Sequence, residues 1–290
     1  MVLLNDANLI ISADQLKFII ILLSLPTESI ATIMKHIPNL ITSLNLAAGF
    51  IALVFAANGD TVTASWLILA AMIFDFLDGF SARLLKAYSA IGKELDSLAD
   101  VVSFGVAPAF IIHKMLVTSL GEIPSSVPGS GAGVSEIMIY VPVLMPVCAA
   151  LRLAKFNIDT NQTASFRGLP TPANAIAVIS AVVAAHYSSL PLLKSFTESP
   201  AALILYTIVL SLLMVTHLPL LSLKFTNLKF KGNEGRYVLI GLSLITFIFF
   251  GLAMTLLIIP FYIIVSLISY YIFPDPKNGP GASVNPRVLF

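Results

Sequence analysis

Four closely spaced aspartates are the residues of this chain best suited to carry chemistry. They are Asp75, Asp78, Asp96 and Asp100, and long apolar runs lie on both sides of them. Placing one Asp near the centre of a membrane-spanning helix costs roughly 2.5–3.5 kcal/mol. A sequence that keeps four of them in such surroundings is expected to compensate with cations. We therefore interpret the four carboxylates as part of a functional site.

Their spacing predicts two helical faces that meet in a hairpin. At about 100° per residue, one face carries Asp75, Asp78, Gly79 and Ala82 with Arg83 beside it, and a second carries Gly92, Asp96 and Asp100. A turn between Arg83 and Gly92 brings the two faces together near one membrane surface. Converging carboxylates are typical ligands of Mg²⁺ or Mn²⁺, and four of them can bridge two ions. The alternative is a set of helix-end charges solvated by lipid headgroups.

The pattern D-x-x-D-G-x-x-A-R-x8-G-x-x-x-D-x-x-x-D, which runs from Asp75 to Asp100, resembles the signature of the CDP-alcohol phosphotransferases. These are integral membrane enzymes that move a phosphatidyl-type group from a CDP-linked donor to an alcohol and release CMP. Three further segments, 38–45, 151–157 and 166–174, resemble the bacterial membrane-spanning phosphatidylserine synthases. The similarity covers about residues 36–273.

The resemblance implies a role for each matching residue. Asp75, Asp78, Asp96 and Asp100 would be metal ligands, and Asp100 would also be the general base. The residues that would bind CDP-diacylglycerol are Asn39, Thr42, Gly79, Ala82, Arg83 and Ser89. Three of these have a plainer alternative, because Asn39 and Thr42 could be ordinary helix caps and Ser89 a turn residue.

An amino-acid acceptor such as serine brings a carboxylate, so a cation near the site is expected. Arg152 and Lys155 are the candidates, with Asn157 and Arg167 as weaker ones. The alternative for Arg152 and Lys155 is that they are charges that only set the membrane topology.

The composition predicts an all-α, polytopic membrane helix bundle. The chain is 58% hydrophobic and 11% charged, with a mean hydropathy of +0.95, which requires several bilayer-spanning segments. Eight are predicted, at about 39–58, 63–83, 93–115, 136–154, 172–189, 201–219, 237–252 and 255–273. Residues 34–273 would form the membrane domain, 1–33 an interfacial or non-native extension, 121–135 a loop and 274–290 a disordered tail. The single cysteine, Cys148, excludes an intrachain disulfide.

Lys and Arg are distributed unequally between the two sides of these segments. Arg83, Lys86, Lys93, Arg152, Lys155, Arg167, Lys224, Lys229, Lys231 and Arg236 fall on one side, and Lys114 and Lys194 on the other. The positive-inside rule then places both termini and the aspartates on the cytoplasmic face of the inner membrane. The expected partners are CDP-diacylglycerol, L-serine and membrane lipids. A net charge of +1 without a basic block gives no indication of nucleic acid, and dimers are common in families that resemble this one.

Three other functions stay open at this point. The first is the same transfer to a different alcohol, such as glycerol phosphate or inositol phosphate. The second is an ion-coupled transporter that uses intramembrane Asp, although such carboxylates are expected nearer the bilayer midplane, between symmetric halves. The third is a membrane prenyltransferase, which also uses paired Asp motifs but lacks the D-G-x-x-A-R arrangement.

Overall fold

The structure is a computed structural model that describes residues 27–121, 137–158, 166–187, 190–221 and 233–272. Its helices are α1 (Thr27–Ala57), α2 (Thr61–Leu84), α3 (Ala90–Asp100), α4 (Ala107–Ser119), α5 (Leu144–Ile158), α6 (Thr171–Tyr187), α7 (Pro191–Glu198), α8 (Pro200–Val215), α9 (Glu234–Phe250) and α10 (Ile258–Ile272). A π-helical turn, Val101–Val106, joins α3 to α4, and short 3₁₀ segments stand at Val141–Val143 and Gly251–Leu257. The all-α membrane bundle predicted from composition is confirmed.

The number of membrane spans differs from the prediction of eight. Among the described residues, four helical stretches are long and apolar enough to cross a bilayer: Met34–Ala57, Thr61–Leu84, Ala90–Ser119 and Val141–Ile158. The pair α7 and α8 gives a fifth if its 80° bend is counted within one span. Helix α6 and the segment Thr255–Tyr271 are apolar but shorter. The count of eight is therefore not confirmed.

Helices α1 and α2 form the first pair, and α1 also packs against α3, the π-turn and α4. The tight turn between α1 and α2 ends at Asp60, whose carboxylate accepts a hydrogen bond from the Thr63 N–H at 2.9 Å. Bonds from the side chain and the backbone of Thr63 lower the pKa of Asp60. At the opposite end, α2 stops at Leu84 and α3 begins at Ala90. The predicted turn between Arg83 and Gly92 is confirmed, with Lys86 at a φ of 51°.

The stretch before α6 is fixed by close backbone contacts. Phe166–Arg167 pairs antiparallel with Pro219–Leu220 to form a two-stranded sheet. Gly168 follows at a φ of 74°, a region that favours glycine. A Cβ at Gly168 would lie 2.7 Å from the carbonyl oxygens of Met214 and Thr216. This glycine lets the chain pass against the end of α8 and enter α6.

The long apolar run near the C-terminus is interrupted, as predicted. Helix α9 ends at Phe250, Gly251 has a φ of 54°, and a 3₁₀ segment leads into α10. At the start of α9, a Cβ at Gly235 would lie 2.7 Å from Ser269 Oγ of α10. The two helices therefore approach closely at that point.

Several predictions concern residues outside the described part of the chain. These are most of the predicted extension (residues 1–26), most of the loop at 121–135, the tail at 274–290, Lys224, Lys229, Lys231 and the side chain of Arg167. Helix α1 starts at Thr27, so it begins ahead of the predicted boundary at residue 34.

Candidate active site

Three of the four aspartates converge at the hairpin. Asp75 and Asp78 lie on α2 and Asp96 on α3, and one carboxylate oxygen of each lies within 4.8 Å of the other two. We call these three residues the acidic cluster. Asp78 is buried, and the other two are half-buried. The prediction that the two acidic faces point at each other is confirmed.

Helix α1 supplies a hydroxyl to the acidic cluster. Thr42 is 3% exposed, and its Oγ1 donates a hydrogen bond to Asp78 Oδ2 at 2.6 Å while lying 3.0 Å from the Pro38 carbonyl. A buried charge-assisted bond of this length orients the carboxylate it contacts. Thr42 therefore contacts the site directly rather than capping the helix.

Asn39 lies one turn before Thr42 and meets α3 at Gly92. A Cβ at Gly92 would lie 2.8 Å from Asn39 Oδ1 and 2.9 Å from Ser89 Oγ. Ser89 is the N-cap of α3, and its Oγ accepts a hydrogen bond from the Gly92 N–H at 2.9 Å. The absence of a side chain at Gly92 therefore allows α1 and α3 to approach at the rim of the site. Ser89 has the structural role of a cap, whatever else it binds.

Asp100 lies one turn beyond Asp96, outside the 4.8 Å group. It is 8% exposed, and its Oδ1 has no hydrogen-bond partner among the described residues. Its electrostatic neighbours are the three carboxylates of the acidic cluster, and the Asn45 side chain faces it from α1. Asn45 is fully buried, and its amide oxygen and nitrogen are also without a partner in the described part of the chain.

One side of the acidic cluster is open. Gly79 follows Asp78 directly, and a Cβ built there meets nothing within 4 Å. Ala82 is half-buried and Arg83 exposed one turn further along, where Arg83 Nε donates to the Gly79 carbonyl at 3.0 Å. The predicted free space on the acidic face is confirmed at Gly79.

One cation of α5 interacts electrostatically with Asp100. Arg152 of α5 is half-buried, and its Nε has no hydrogen-bond partner among the residues described. Its electrostatic neighbours are Asp100 and Tyr262 of α10. Tyr262 is 4% exposed and donates through its hydroxyl to the Leu221 carbonyl at 3.0 Å. Arg152 therefore interacts electrostatically with a carboxylate of α3 and a phenol of α10.

The other acceptor candidates lie differently. Lys155 is exposed on the outer part of α5. Asn157 braces α5 against α3, because its Nδ2 donates to Ser97 Oγ at 2.8 Å and its carbonyl accepts from Lys93 Nζ at 3.0 Å. Of the acceptor candidates with described side chains, Arg152 is therefore the one brought next to Asp100.

The acidic cluster fits a divalent metal ion. Asp96 Oδ1 and Asp100 Oδ1 are buried oxygens without a hydrogen-bond donor in the described ranges, and such anions need a compensating charge. All the converging atoms are carboxylate oxygens, which Mg²⁺ and Mn²⁺ prefer. The geometry therefore satisfies what a metal site requires.

Comparison with known proteins gives the family. The family model described as CDP-alcohol phosphatidyltransferase matches residues 35–270, which include every residue of the acidic cluster and its surroundings. The chain belongs to the CDP-alcohol phosphatidyltransferase family. The resemblance inferred from the aspartate pattern is confirmed.

Curated relatives of this family member carry related names. A CDP-diacylglycerol–serine O-phosphatidyltransferase of Helicobacter pylori (strain J99) is 39% identical over 148 residues, which are 50% of this chain and 56% of that protein. One of Bacillus subtilis is 32% identical over 201 residues, 69% of this chain and 96% of that protein. An archaetidylserine synthase of Methanothermobacter thermautotrophicus is 35% identical over 156 residues, 53% of this chain and 60% of that protein. Several matches, including the Helicobacter one, therefore span about half the length of the relative.

Gly79→Ala separates folding from ligand binding at the open side of the acidic cluster. We expect the variant to fold at least as well as the parent, because Ala is favoured over Gly in a helix by about 0.5–1 kcal/mol and the added Cβ has no neighbour. We expect the KM for the CDP-linked donor to rise about 10-fold, since the methyl group occupies ligand space worth roughly one such factor. The matched control is Gly241→Ala, an equally open helical glycine on α9. An unchanged donor KM in Gly79→Ala would contradict a ligand passing at this position.

Proposed function

We propose that this chain transfers the phosphatidyl group of CDP-diacylglycerol to L-serine and releases phosphatidylserine and CMP. The observation that carries the proposal is the convergence of the acidic cluster near Asp100, whose electrostatic neighbours include the half-buried Arg152. The cluster suits a metal-bound pyrophosphate, and Arg152 suits the carboxylate of an amino-acid acceptor. The names of the relatives from Helicobacter and Bacillus support the same donor and acceptor.

In the proposed reaction the serine hydroxyl oxygen attacks the phosphorus of the phosphatidyl group. The anhydride P–O bond breaks, its electron pair leaves with the CMP phosphate, and the hydroxyl proton passes to the Asp100 carboxylate. A divalent ion at the acidic cluster would neutralise charge on the pyrophosphate and stabilise the leaving phosphate. Asp75, Asp78 and Asp96 would hold it, with Asp100 as a further ligand and Thr42 fixing the Asp78 carboxylate.

The remaining residues would bind and orient the donor. Arg83, exposed at the end of α2, is placed to pair with phosphate oxygens. Gly79 and Ala82 would leave room for the nucleotide, and Asn39 and Ser89 line the rim beside Gly92. Because Asn157 hydrogen-bonds to Ser97 of α3 and Lys155 is exposed, Asn157 would orient α5 and Lys155 would attract serine, and neither would bind the serine carboxylate.

The site's place in the membrane follows from the charges around it. The cations Arg83, Lys86 and Lys93 lie at the hairpin end of α2 and α3, and by the positive-inside rule this end is cytoplasmic. The site would therefore lie at the cytoplasmic face of the inner membrane, and both termini would lie on the same side. The proposal also includes two divalent ions at the site and a membrane domain that spans residues 34–273. A homodimer is included as the expected assembly.

A release assay tests the proposed function. Purified enzyme in detergent is given CDP-diacylglycerol with serine, glycerol phosphate, inositol phosphate or ethanolamine, and CMP is measured. We expect serine to give the fastest release, a chelator to abolish it, and added Mg²⁺ or Mn²⁺ to restore it. Faster release with a phosphorylated alcohol would assign the chain to another acceptor within its family. Family membership already weighs against the transporter and the prenyltransferase.

A further inference from the structure

The π-turn Val101–Val106 begins at the residue after Asp100 and is a second determinant of the site. Its π-helical register is shown by the Ala107 N–H, which donates to the Val102 carbonyl five residues earlier. A π-turn places one extra residue in a helix and is costly enough to be uncommon. Its position directly behind the buried aspartate means that it sets where the rest of the helix stands relative to that carboxylate.

The sequence gives a physical reason for the turn. In a regular α-helix the Phe104 carbonyl would accept from the N–H of residue 108, but residue 108 is proline and has none. The ring of an internal proline also presses on the carbonyl four residues before it. Widening the helix between Asp100 and Pro108 relieves this contact, and Pro108 is itself buried at the first turn of α4.

Another helix supplies a hydrogen bond in place of the one that proline removes. Asn174 of α6 is fully buried, and its Nδ2 donates to the Phe104 carbonyl at 3.2 Å. The sequence neighbours of Asn174 explain why it can reach so far into the bundle. Gly168 allows the backbone to pass against α8, and α6 then starts with Thr171 and Asn174 already buried.

A second tether holds the turn from the opposite side. Ser103 Oγ donates to the Asn45 carbonyl of α1 at 3.0 Å. A Cβ at Gly49 would collide with Ser103 Oγ, so a glycine is needed for α1 to lie this close. The residue whose carbonyl accepts this bond, Asn45, is also the one whose side chain faces Asp100.

We propose that Ser103 and Asn174 are positioning residues that fix the π-turn and thereby hold Asp100 against its reacting partner. Neither residue is expected to touch a substrate. The proposal rests on the proposed function, since Asp100 is assigned there as the proton acceptor. It differs from a merely structural role because the acidic cluster, which would hold the metal, lies outside the π-turn, so loss of a tether is expected to affect the transfer step more than donor binding.

The test uses Asn174→Leu, which keeps the branching of the side chain but removes the donor, and Ser103→Ala. Thr207→Val is the matched control, because Thr207 is fully buried and, within the described part of the chain, its hydroxyl donates only to the Leu203 carbonyl of its own helix. We expect each tether variant to lower kcat per folded enzyme about 10-fold, the effect of losing one buried hydrogen bond. The KM for CDP-diacylglycerol is expected to stay within about 2-fold of the parent value, as for any change that spares donor binding.

Hydrogen exchange of peptides that cover residues 101–107 is measured on the same proteins. Faster exchange there in both tether variants, and not in Thr207→Val, is expected. If amide exchange in residues 101–107 is unchanged, the two side chains do not tether the π-turn. If kcat is unchanged, or if the KM for CDP-diacylglycerol rises as much as kcat falls, they are not positioning residues. A parent enzyme that releases no CMP with any acceptor would overturn the proposed function and the catalytic half of this inference, while the exchange result would still decide whether the tethers exist. If Asn174→Leu does not fold, Ser103→Ala decides alone.

Discussion

Asp100→Asn is expected to lower kcat by at least about 100-fold, the smaller end of what the loss of a general base costs. Asn has nearly the same shape as Asp, so the helix and the neighbouring Asn45 keep their places. The amide cannot accept the hydroxyl proton, however, and it also removes one negative charge next to the acidic cluster. The measurement is CMP release per folded enzyme with serine at saturation.

Two variants control this experiment. Asp60→Asn makes the same change at the start of α2, where Asn also serves as an N-cap, and full activity is expected. Asp75→Asn removes a member of the acidic cluster, so we expect weaker metal binding and partial recovery at high Mn²⁺, whereas Asp100→Asn should not recover. Near-normal turnover in folded Asp100→Asn would show that another group takes the proton.

Sequence reasoning was most successful where the spacing of polar residues met a simple helical geometry. The convergence of Asp75, Asp78 and Asp96 could be predicted, because a carboxylate in an apolar helix needs polar partners or a cation. The turn at residues 85–89 joins the two helices so that their carboxylates face each other. Asn45 could have been found by the same argument. It follows Asn39 and Thr42 at three-residue steps, so it shares their face of α1.

Tyr262 could not have been found in this way. It lies in an apolar segment among residues that look alike, and its position depends on how α10 packs against α9 and α6 and on the break at Gly251. The hydrophobic periodicity of a helix does not predict which distant helix it contacts. The count of eight spans is not confirmed, because hydropathy marks apolar segments but not the length of the helix that each one forms: α6 and the segment Thr255–Tyr271 are apolar but shorter than a span.

The π-turn stands between these two cases. Pro108 inside an apolar helix predicts an irregular turn. Because proline has no N–H, the Phe104 carbonyl must accept a hydrogen bond from another donor. The sequence does not say which donor replaces it. The structure identifies the donor as Asn174, whose Nδ2 lies 3.2 Å from the Phe104 carbonyl oxygen. This hydrogen bond connects the segment 166–174 to the helical stretch that carries the last two aspartates.

Arg152→Ala is expected to change the use of serine and little else. If the guanidinium binds the serine carboxylate, the lost charge-assisted bond is worth roughly 1.5–3 kcal/mol, so kcat/KM for serine should fall about 10- to 150-fold. The KM for CDP-diacylglycerol should change little, because the residues proposed to bind the donor lie on α1, α2 and α3 and not on α5. Ethanolamine has no carboxylate, so it should be a poor acceptor for the parent and nearly unaffected by the substitution.

Lys155→Ala is the matched control. It removes a cation that lies one turn away on the same helix and is exposed. An anchor at the headgroups would lower the amount of folded enzyme in either variant without altering the ratio of serine to ethanolamine use. If Arg152 binds the serine carboxylate, the ratio of serine to ethanolamine use falls in Arg152→Ala and stays unchanged in Lys155→Ala. The buried Nε without a described partner, beside Asp100 and Tyr262, is the reason to expect the second result, because an anchor needs no burial. If the serine KM were unchanged in folded Arg152→Ala and raised in Lys155→Ala, the carboxylate would bind at the rim of α5 instead.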